Sequence, residues 1–212
     1  MYKHPLNNRE KITPTEALDI LLEGNERFIT NQTETKDFKG LLSIVTEQQR
    51  PFAAFLSCAD SRAPVELIFD QALGDIFSVR LAGNIASDKA IGSLEYSTKH
   101  LGSKLIVVMG HTACGAVKAA CDEYREGHIG EIVNMIRPCI RFEKEEVEDR
   151  SSNNKDFVDK VVKLNVQYQI DTIIRCSDLI DQQLRNKEIG IIGGVFNFKT
   201  GKVDFLEETL TT

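Results

Sequence analysis

Three short, almost wholly apolar runs constrain this chain more than any other feature. Phe52–Ser57, Leu105–Met109 and Ile189–Ile192 are each too short for a buried helix and too continuous for a half-exposed strand. Such runs read as strands buried on both faces, which is the signature of a parallel sheet. Between them the apolar period switches to that of a helix. Ile91, Leu94, Thr98 and Leu101 share one face of a segment that begins near Ser87 and stops at Gly102. Val162, Val166, Ile170 and Ile173 form one stripe of a helix over about 158–174. Strands alternating with helices require crossovers, so the expected fold is α/β, a mostly parallel central sheet flanked by helices.

The remaining segments fill in this frame. Thr13-Pro14-Thr15-Glu16 reads as an N-cap, a first-turn proline and a capping box for a helix carrying Ala17, Leu18, Leu21, Leu22 and Phe28. Residues 30–48 read as a polar, partly helical connection. A helical turn follows Pro64, a strand spans Ile76–Leu81, and a helix opens near Cys114-Gly115. Ile129, Ile132, Val133 and Ile136 mark another helix, which Pro138 is expected to kink or break. Glu143–Asp149 is an acidic run, and 151–154 has the composition of a surface loop. Thr200-Gly201 predicts the turn of a terminal hairpin closed by Val203–Leu206, giving an antiparallel C-terminal strand. At 212 residues the chain is expected to be a single domain over 1–212 with an N-terminal helical arm at about 13–48.

Composition removes several function classes. The formal charge of −6 argues against a nucleic-acid binder. No apolar stretch approaches about 18 residues, and Met1–Asn8 has no apolar core of a signal peptide. The expectation is therefore a cytoplasmic protein with no membrane partner. Five cysteines in such a chain are not a disulfide framework; in a reducing compartment they are filler, nucleophiles or metal ligands.

Two strand ends carry unusual residues: Cys58-Ala59-Asp60-Ser61-Arg62 and His111-Thr112-Ala113-Cys114-Gly115. Sites in open α/β sheets collect beyond the carboxyl ends of the strands. If the two strands are neighbours, Cys58, His111 and Cys114 converge there as two thiolates and an imidazole, donors that suit Zn²⁺ with an open fourth position. Two roles stand open for Asp60: it accepts a hydrogen bond from zinc-bound hydroxide, or it ligates the metal and closes the site. Arg62 pairs with Asp60 and holds it ionised. Cys121, Cys139 and Cys176 sit on helical stripes and read as core or interface filler. His4, His100 and His128 have no evident partner and read as surface residues. A Cys58–His111 nucleophile pair leaves Cys114 unexplained, and no phosphate-binding glycine loop or G-x-S-x-G elbow is present.

At these residues the sequence resembles the β-class carbonic anhydrases, through C-x-D-S-R at Cys58–Arg62 and H-x-x-C-G at His111–Gly115. The similarity extends from about Ala17 to Leu206. It implies one Zn²⁺ per chain on Cys58, His111 and Cys114, with Asp60 a fourth ligand only in a closed form. It implies reversible hydration of CO₂ to bicarbonate and a proton by a zinc-bound hydroxide, with Asp60 and Arg62 as the catalytic dyad. Gln49, Phe77, Tyr96 and Gly115 match residues by the substrate pocket, Gln49 reaching it across a dimer interface. A homodimer or larger even-numbered assembly, such as a tetramer, follows. Ala59 and Ala63 depart from the residues usual at their positions. Phe55 stands where a subgroup with an allosteric bicarbonate site has Trp; with Gln49, this places the chain with the open-site, plant-like subgroup. A carbon disulfide or carbonyl sulfide hydrolase on the same site, and a non-catalytic zinc dimer, are the alternative readings.

Overall fold

A computed structural model describes residues 11–211. His4 therefore lies outside the described residues. Helix α1 (Pro14–Ile29) begins at the expected capping box: the Glu16 N–H donates to Thr13 Oγ1 at 3.2 Å, and the Thr13 N–H donates to Glu16 Oε2 at 2.8 Å. Ala17 and Leu21 are fully buried, whereas Leu18 is half-buried and Leu22 is exposed, so the contact stripe is narrower than the apolar period predicts. Close packing explains why: a Cβ at Gly24 would sit 1.9 Å from the Phe69 carbonyl oxygen. Asn25 Nδ2 donates to the carbonyls of Ile68 and Gly201, and its Oδ1 accepts from the Val203 N–H. One buried amide thus ties the first helix to the last hairpin. The connection that follows contains α2 (Phe38–Val45), which leaves Phe38, Leu42 and Ile44 exposed.

Five strands make one sheet: β1 (Ala53–Ser57), β2 (Ile76–Arg80), β3 (Leu105–His111), β4 (Gly190–Phe196) and β5 (Val203–Thr211). Their order is β2-β1-β3-β4-β5; the first four are parallel and β5 is antiparallel. The predicted α/β class and the antiparallel C-terminal strand are both present. Every residue of β1, β3 and β4 is buried, as continuous apolar runs require. β4 continues past Ile192 through Gly193, where a Cβ would meet Val166 at 2.6 Å.

Alternate side chains feed two cores. Phe55, Val107, Met109 and Ile192 pack with α1 and with α3 (Val65–Ile68) on one face. Ala54, Leu56, Ile106, Val108 and Ile191 face the other core. That second layer contains α4 (Asp88–Tyr96), α5 (Gly115–Cys121), α6 (Ile129–Phe142), α7 (Lys155–Cys176) and α8 (Asp178–Arg185). Helix α4 runs on as a wider π turn, Ser97–Leu101, and ends at left-handed Gly102 (φ 83°).

Three expectations change. α6 does not end at Pro138 but continues to Phe142. Proline forfeits its own backbone donor, but Val133, Ile136 and Cys139 are wholly buried, and their packing holds the helix together. The 151–154 loop ends in a cap: Asn154 Oδ1 accepts from the Phe157 N–H and starts α7 three residues before the predicted helix. Helix α8 was not anticipated, because its apolar stripe is only Ile180 and Leu184 between charged residues; Ser177 caps it. Among the described residues no helix is long and apolar enough to cross a membrane.

A buried carboxylate pins the N-terminal arm. Asp70 accepts from Arg27 Nε at 2.6 Å, from Lys36 Nζ, and from the Glu34 N–H at 3.2 Å. Burial alone would raise its pKa; the bonds from Arg27 and Lys36 prevail and lower it. A depressed folded pKa contributes stability that is present above the unfolded value of about 3.9 and lost as pH falls through the folded value. Asp70→Asn should keep the left-handed backbone (φ 48°) but cost about 3 kcal/mol by breaking a buried charge cluster. Urea unfolding at neutral pH measures that loss, and the wild-type advantage should shrink toward zero in strong acid.

Candidate metal centre

The register of two strands builds the site. β1 and β3 are adjacent and parallel, with Ser57 beside Met109. Cys58 therefore leaves the sheet at the same end as His111 and the turn to Cys114. Ala113 adopts a left-handed conformation (φ 56°) that turns the chain back, making Cys114 the N-cap of α5. The sulfurs of Cys58 and Cys114 lie 4.0 Å apart, and one donor atom from each of Cys58, His111 and Cys114 falls within 4.8 Å of the others. All three residues are buried.

These residues fit a tetrahedral metal. Two Zn–S bonds of about 2.3 Å at the tetrahedral angle put the sulfurs about 3.8 Å apart, close to what is found. His111 Nδ1 lies 3.0 Å from the Thr112 carbonyl, which only accepts, so Nδ1 carries the proton. Nε2 is then the nitrogen left for a metal, buried, without a partner at hydrogen-bond distance among the described residues, and within reach of the sulfurs. Without metal, the Cys114 thiol donates to Cys58 and lowers its pKa, and the same bond keeps Cys114 protonated. Burial opposes charge on His111, but its contact with the Cys58 thiolate raises its pKa overall. A cluster that holds spare protons in this way releases them to a divalent cation.

Around the donors lies a set of buried polar groups. The Gly83 N–H points at Cys58 Sγ, 3.4 Å away. Gly83 is left-handed (φ 72°), and a Cβ there would meet Ile136 at 2.6 Å. Its carbonyl accepts from Asn165 Nδ2 at 2.9 Å; Asn165 Oδ1 accepts from Gln169 Nε2 at 2.9 Å; Gln169 Oε1 accepts from the Ala86 N–H at 2.8 Å. Asn165 and Gln169 are fully buried on α7, and sequence reading passed over both. Their signal is visible in retrospect: two amides at i and i+4 on an otherwise apolar stripe. Arg80 was missed as well. It donates to the backbone carbonyls of Cys58 and Asp60 and holds the first motif's loop at the end of β2.

Asp60 stands at the rim. Arg62 grips its carboxylate with Nε at 2.9 Å and Nη2 at 2.8 Å, and the Arg62 N–H adds a third bond at 3.0 Å. That grip holds Asp60 far below the usual carboxylate range. Its Oδ2 is 3.9 Å from His111 Nε2. The Arg62 guanidinium lies 4.2 Å over the Phe198 ring, which itself packs on His111 at 4.8 Å; Phe198 was not singled out by the sequence. Gly115 opens α5, and beyond its chain neighbours and its own helix backbone no atom of the described residues lies within 4 Å of where its Cβ would stand.

The structure does not bring Gln49, Phe77 and Tyr96 to this chain's own cluster. Phe77 is beside Ala54, four residues before Cys58, hence roughly 13 Å back along the strands. Tyr96 packs on Phe77 with ring centroids 6.4 Å apart, and Tyr96 and Gln49 line one 730 Å³ cavity with Lys99 and His100. The three thus form a second group, away from the thiols. The other cysteines divide. Cys139 is buried and its pKa rises to about 12 by burial; Cys121 is half-buried and rises to about 11 for the same reason. Cys176 ends α7 exposed, so it is not core filler. His128 does have a partner, Glu131 at 3.2 Å, and His100 stacks on Tyr96 at 5.4 Å; both histidines are exposed as expected.

Known proteins resemble this chain in sequence and in fold. The sequence profile of the carbonic anhydrase family matches residues 53–203. Carbonic anhydrase 2 of Mycobacterium tuberculosis is 31% identical over 198 residues, 89% of this chain and 91% of that protein. The carbonic anhydrase of Mycolicibacterium smegmatis is 33% identical, over 90% of this chain and 92% of its own. Among solved structures, a β-carbonic anhydrase of Coccomyxa in complex with acetazolamide superposes with a TM-score of 0.72 at 30% identity, covering 89% of this chain and 86% of that one. One of two tetrameric β-carbonic anhydrases of Sordaria macrospora gives 0.73 at 25% identity, over 82% and 89%. The chain belongs to the carbonic anhydrase family, and within it to the β class.

If Asn165 sets the position of Gly83 against Cys58, its loss should loosen the metal without removing a ligand. Asn165→Ala is expected to weaken zinc binding about 10–100-fold, the usual effect of deleting an outer partner of a metal ligand. Competition against a chromophoric chelator reads this out. An unchanged affinity would show that the amide serves packing alone.

Proposed function

We propose that this carbonic anhydrase hydrates CO₂ reversibly to bicarbonate and a proton on Zn²⁺ held by Cys58, His111 and Cys114, and that it works as a dimer. One observation carries the site assignment: two sulfurs and a partnerless imidazole nitrogen converge beside a carboxylate that an arginine already grips. Zinc bound there supplies Lewis acidity that brings the pKa of water toward about 7.

The chain's own residues supply orientation. Asp60 stays ionised beside Arg62, so its Oδ2 can only accept a hydrogen bond; facing the cluster, it takes the proton-bearing side of the reacting water and turns that oxygen's lone pair toward CO₂. Arg62 occupies both carboxylate oxygens, which favours the open-site reading, because Asp60 would have to leave that fork to become a ligand. The empty space beside Gly115 leaves room for a small substrate against its backbone. Neither sulfur-analogue hydrolysis nor a closed, non-catalytic zinc site has an observation in its favour.

The separation of the two residue groups supports the dimer. Gln49, Phe77 and Tyr96 offer an amide and two aromatic edges suited to a small uncharged molecule, yet they stand away from their own chain's thiols, Phe77 near the start of its strand. A second copy that brings its Gln49 group to this chain's Cys58 group would complete both sites at once, as a two-fold interface does. No membrane or nucleic-acid partner enters this reading, and we place the protein in the cytoplasm.

Cys58→Ser should lose zinc and CO₂ hydration together. Asp60→Asn should retain zinc while turnover near neutral pH drops about 10²-fold or more; stopped-flow hydration with metal analysis separates the two. Mixed dimers test the sharing of sites. Pairing a Cys58→Ser chain with a Gln49→Ala chain should leave one intact site, and thus about half of wild-type activity, if Gln49 acts across the interface. Activity no higher than that of either parent homodimer would place Gln49 in its own chain's site.

A further inference from the structure

Away from the metal centre, the C-terminal ends of α5 and α6 enclose a 420 Å³ cavity lined by Ala120, Cys121, Glu123, Arg125, Arg137, Ile140, Arg141 and Arg150. This volume lies in the range of small-molecule sites, about 300–1,000 Å³. Four arginines in one wall are unexpected in a chain whose net charge is −6. Two of them are accounted for. Arg125 pairs with Glu123 at 3.2 Å. Arg150 pairs with buried Glu143 at 2.8 Å, donates to the carbonyls of Ile140, Glu143 and Glu146, and lies 4.7 Å over the Phe157 ring. It therefore serves as the C-terminal cap of α6.

Arg137 and Arg141 are not accounted for. They stand at i and i+4 on α6, a spacing at which like charges repel. Among the described residues neither has an acidic partner, and neither caps the helix carbonyls that Arg150 already serves. The Arg137 Nε is buried without any hydrogen-bond partner. A buried, unsatisfied donor on a charged group is costly, so Arg137 is held in place against its own preference, and only its outer nitrogens are left for an acceptor in the cavity. Asp122, next in sequence to Cys121, accepts from the Ser152 N–H through one oxygen, and burial, followed by the nearby Asp122 charge, holds Cys121 as a neutral thiol. Once Glu123 and Glu143 are assigned to Arg125 and Arg150, half-buried Arg137 and exposed Arg141 are the two guanidiniums of the wall without a direct ion pair among the described residues, and Asp122 is the remaining carboxylate nearby.

We infer that this cavity binds a phosphate-type dianion, as free phosphate or as the phosphate of a small monoester, through the paired forks of Arg137 and Arg141. A phosphate monoester carries about −1.5 to −2 charges at neutral pH, which matches the two free guanidiniums. Planar guanidiniums bind its oxygens two at a time. The cavity is larger than a single tetrahedral anion, with Ala120 and Ile140 in its lining left for the rest of a monoester. The lining of this cavity includes none of Cys58, His111 and Cys114, so binding here can be measured apart from catalysis.

Calorimetric titration of the zinc-loaded protein with inorganic phosphate and, separately, with glucose 6-phosphate tests the inference. At least one should bind with Kd below about 1 mM. Arg137→Gln with Arg141→Gln should weaken it about 100-fold, roughly tenfold per charge-assisted fork removed. The double lysine variant, which keeps the charge but loses the fork, should fall between. CO₂ hydration and zinc content should be unchanged in both variants, which shows that the fold and metal centre are intact. Tighter binding of the ester assigns the site to phosphorylated metabolites; equal affinity assigns it to free phosphate. Binding that survives the glutamine variant would locate the anion elsewhere, for example at the zinc, and overturn the inference. So would the absence of binding by either probe at about 10 mM.

Discussion

The parallel pairing of β1 with β3 is the interaction on which the rest of the molecule depends. It places Ser57 beside Met109, and so delivers Cys58, His111 and Cys114 to the same end of the sheet although 56 residues separate the two thiols. A slip of one residue would turn Phe55 and Val107 out of one core and into the other, because side chains alternate strictly along a strand. Burial of both faces therefore specifies the register, and the register specifies the metal geometry. The hydrophobic core and the chemistry are in this sense one construction.

Within that frame, precision comes from buried hydrogen bonds. Gly83, Asn165 and Gln169 form a chain from α7 to the sulfur of Cys58, with no exposed member. In a low-dielectric interior, such a network is worth keeping only if every member is satisfied, and this one is nearly complete. On the outer side Arg80 fixes the backbone of the first motif, and Arg62 fixes the carboxylate of Asp60. The donors are thus held from both sides before any metal arrives, which spares the cost of ordering them on binding.

Much of this was legible in the residues. The strands announced themselves because parallel strands cannot alternate, and the first helix because Thr13, Pro14 and Glu16 each satisfy a free end group. Cys58, His111 and Cys114 stood out because sulfur and imidazole at strand ends are chemically unusual. Asn165, Gln169, Arg80 and Phe198 were not legible, since an amide on a helix or an arginine at a strand end is ordinary until its partner is known. Helix α8 escaped for a similar reason: two apolar residues do not make a period. At Pro138 the local cost was visible, while the packing of Ile136 and Cys139, which carries the helix past it, was not.

By itself the sequence determined the fold class, the family resemblance and the identity of the donor atoms, because these depend on residue type and on spacing along the chain. Tertiary structure alone decided which polar groups surround those atoms, and that Gln49, Phe77 and Tyr96 stand apart from their own chain's thiols. It also decided that Arg137 and Arg141 face a cavity rather than a carboxylate. The physical reason is the same in each case. Hydrogen bonds and charge pairing act over a few ångströms between residues far apart in sequence, and only folding brings such pairs within reach.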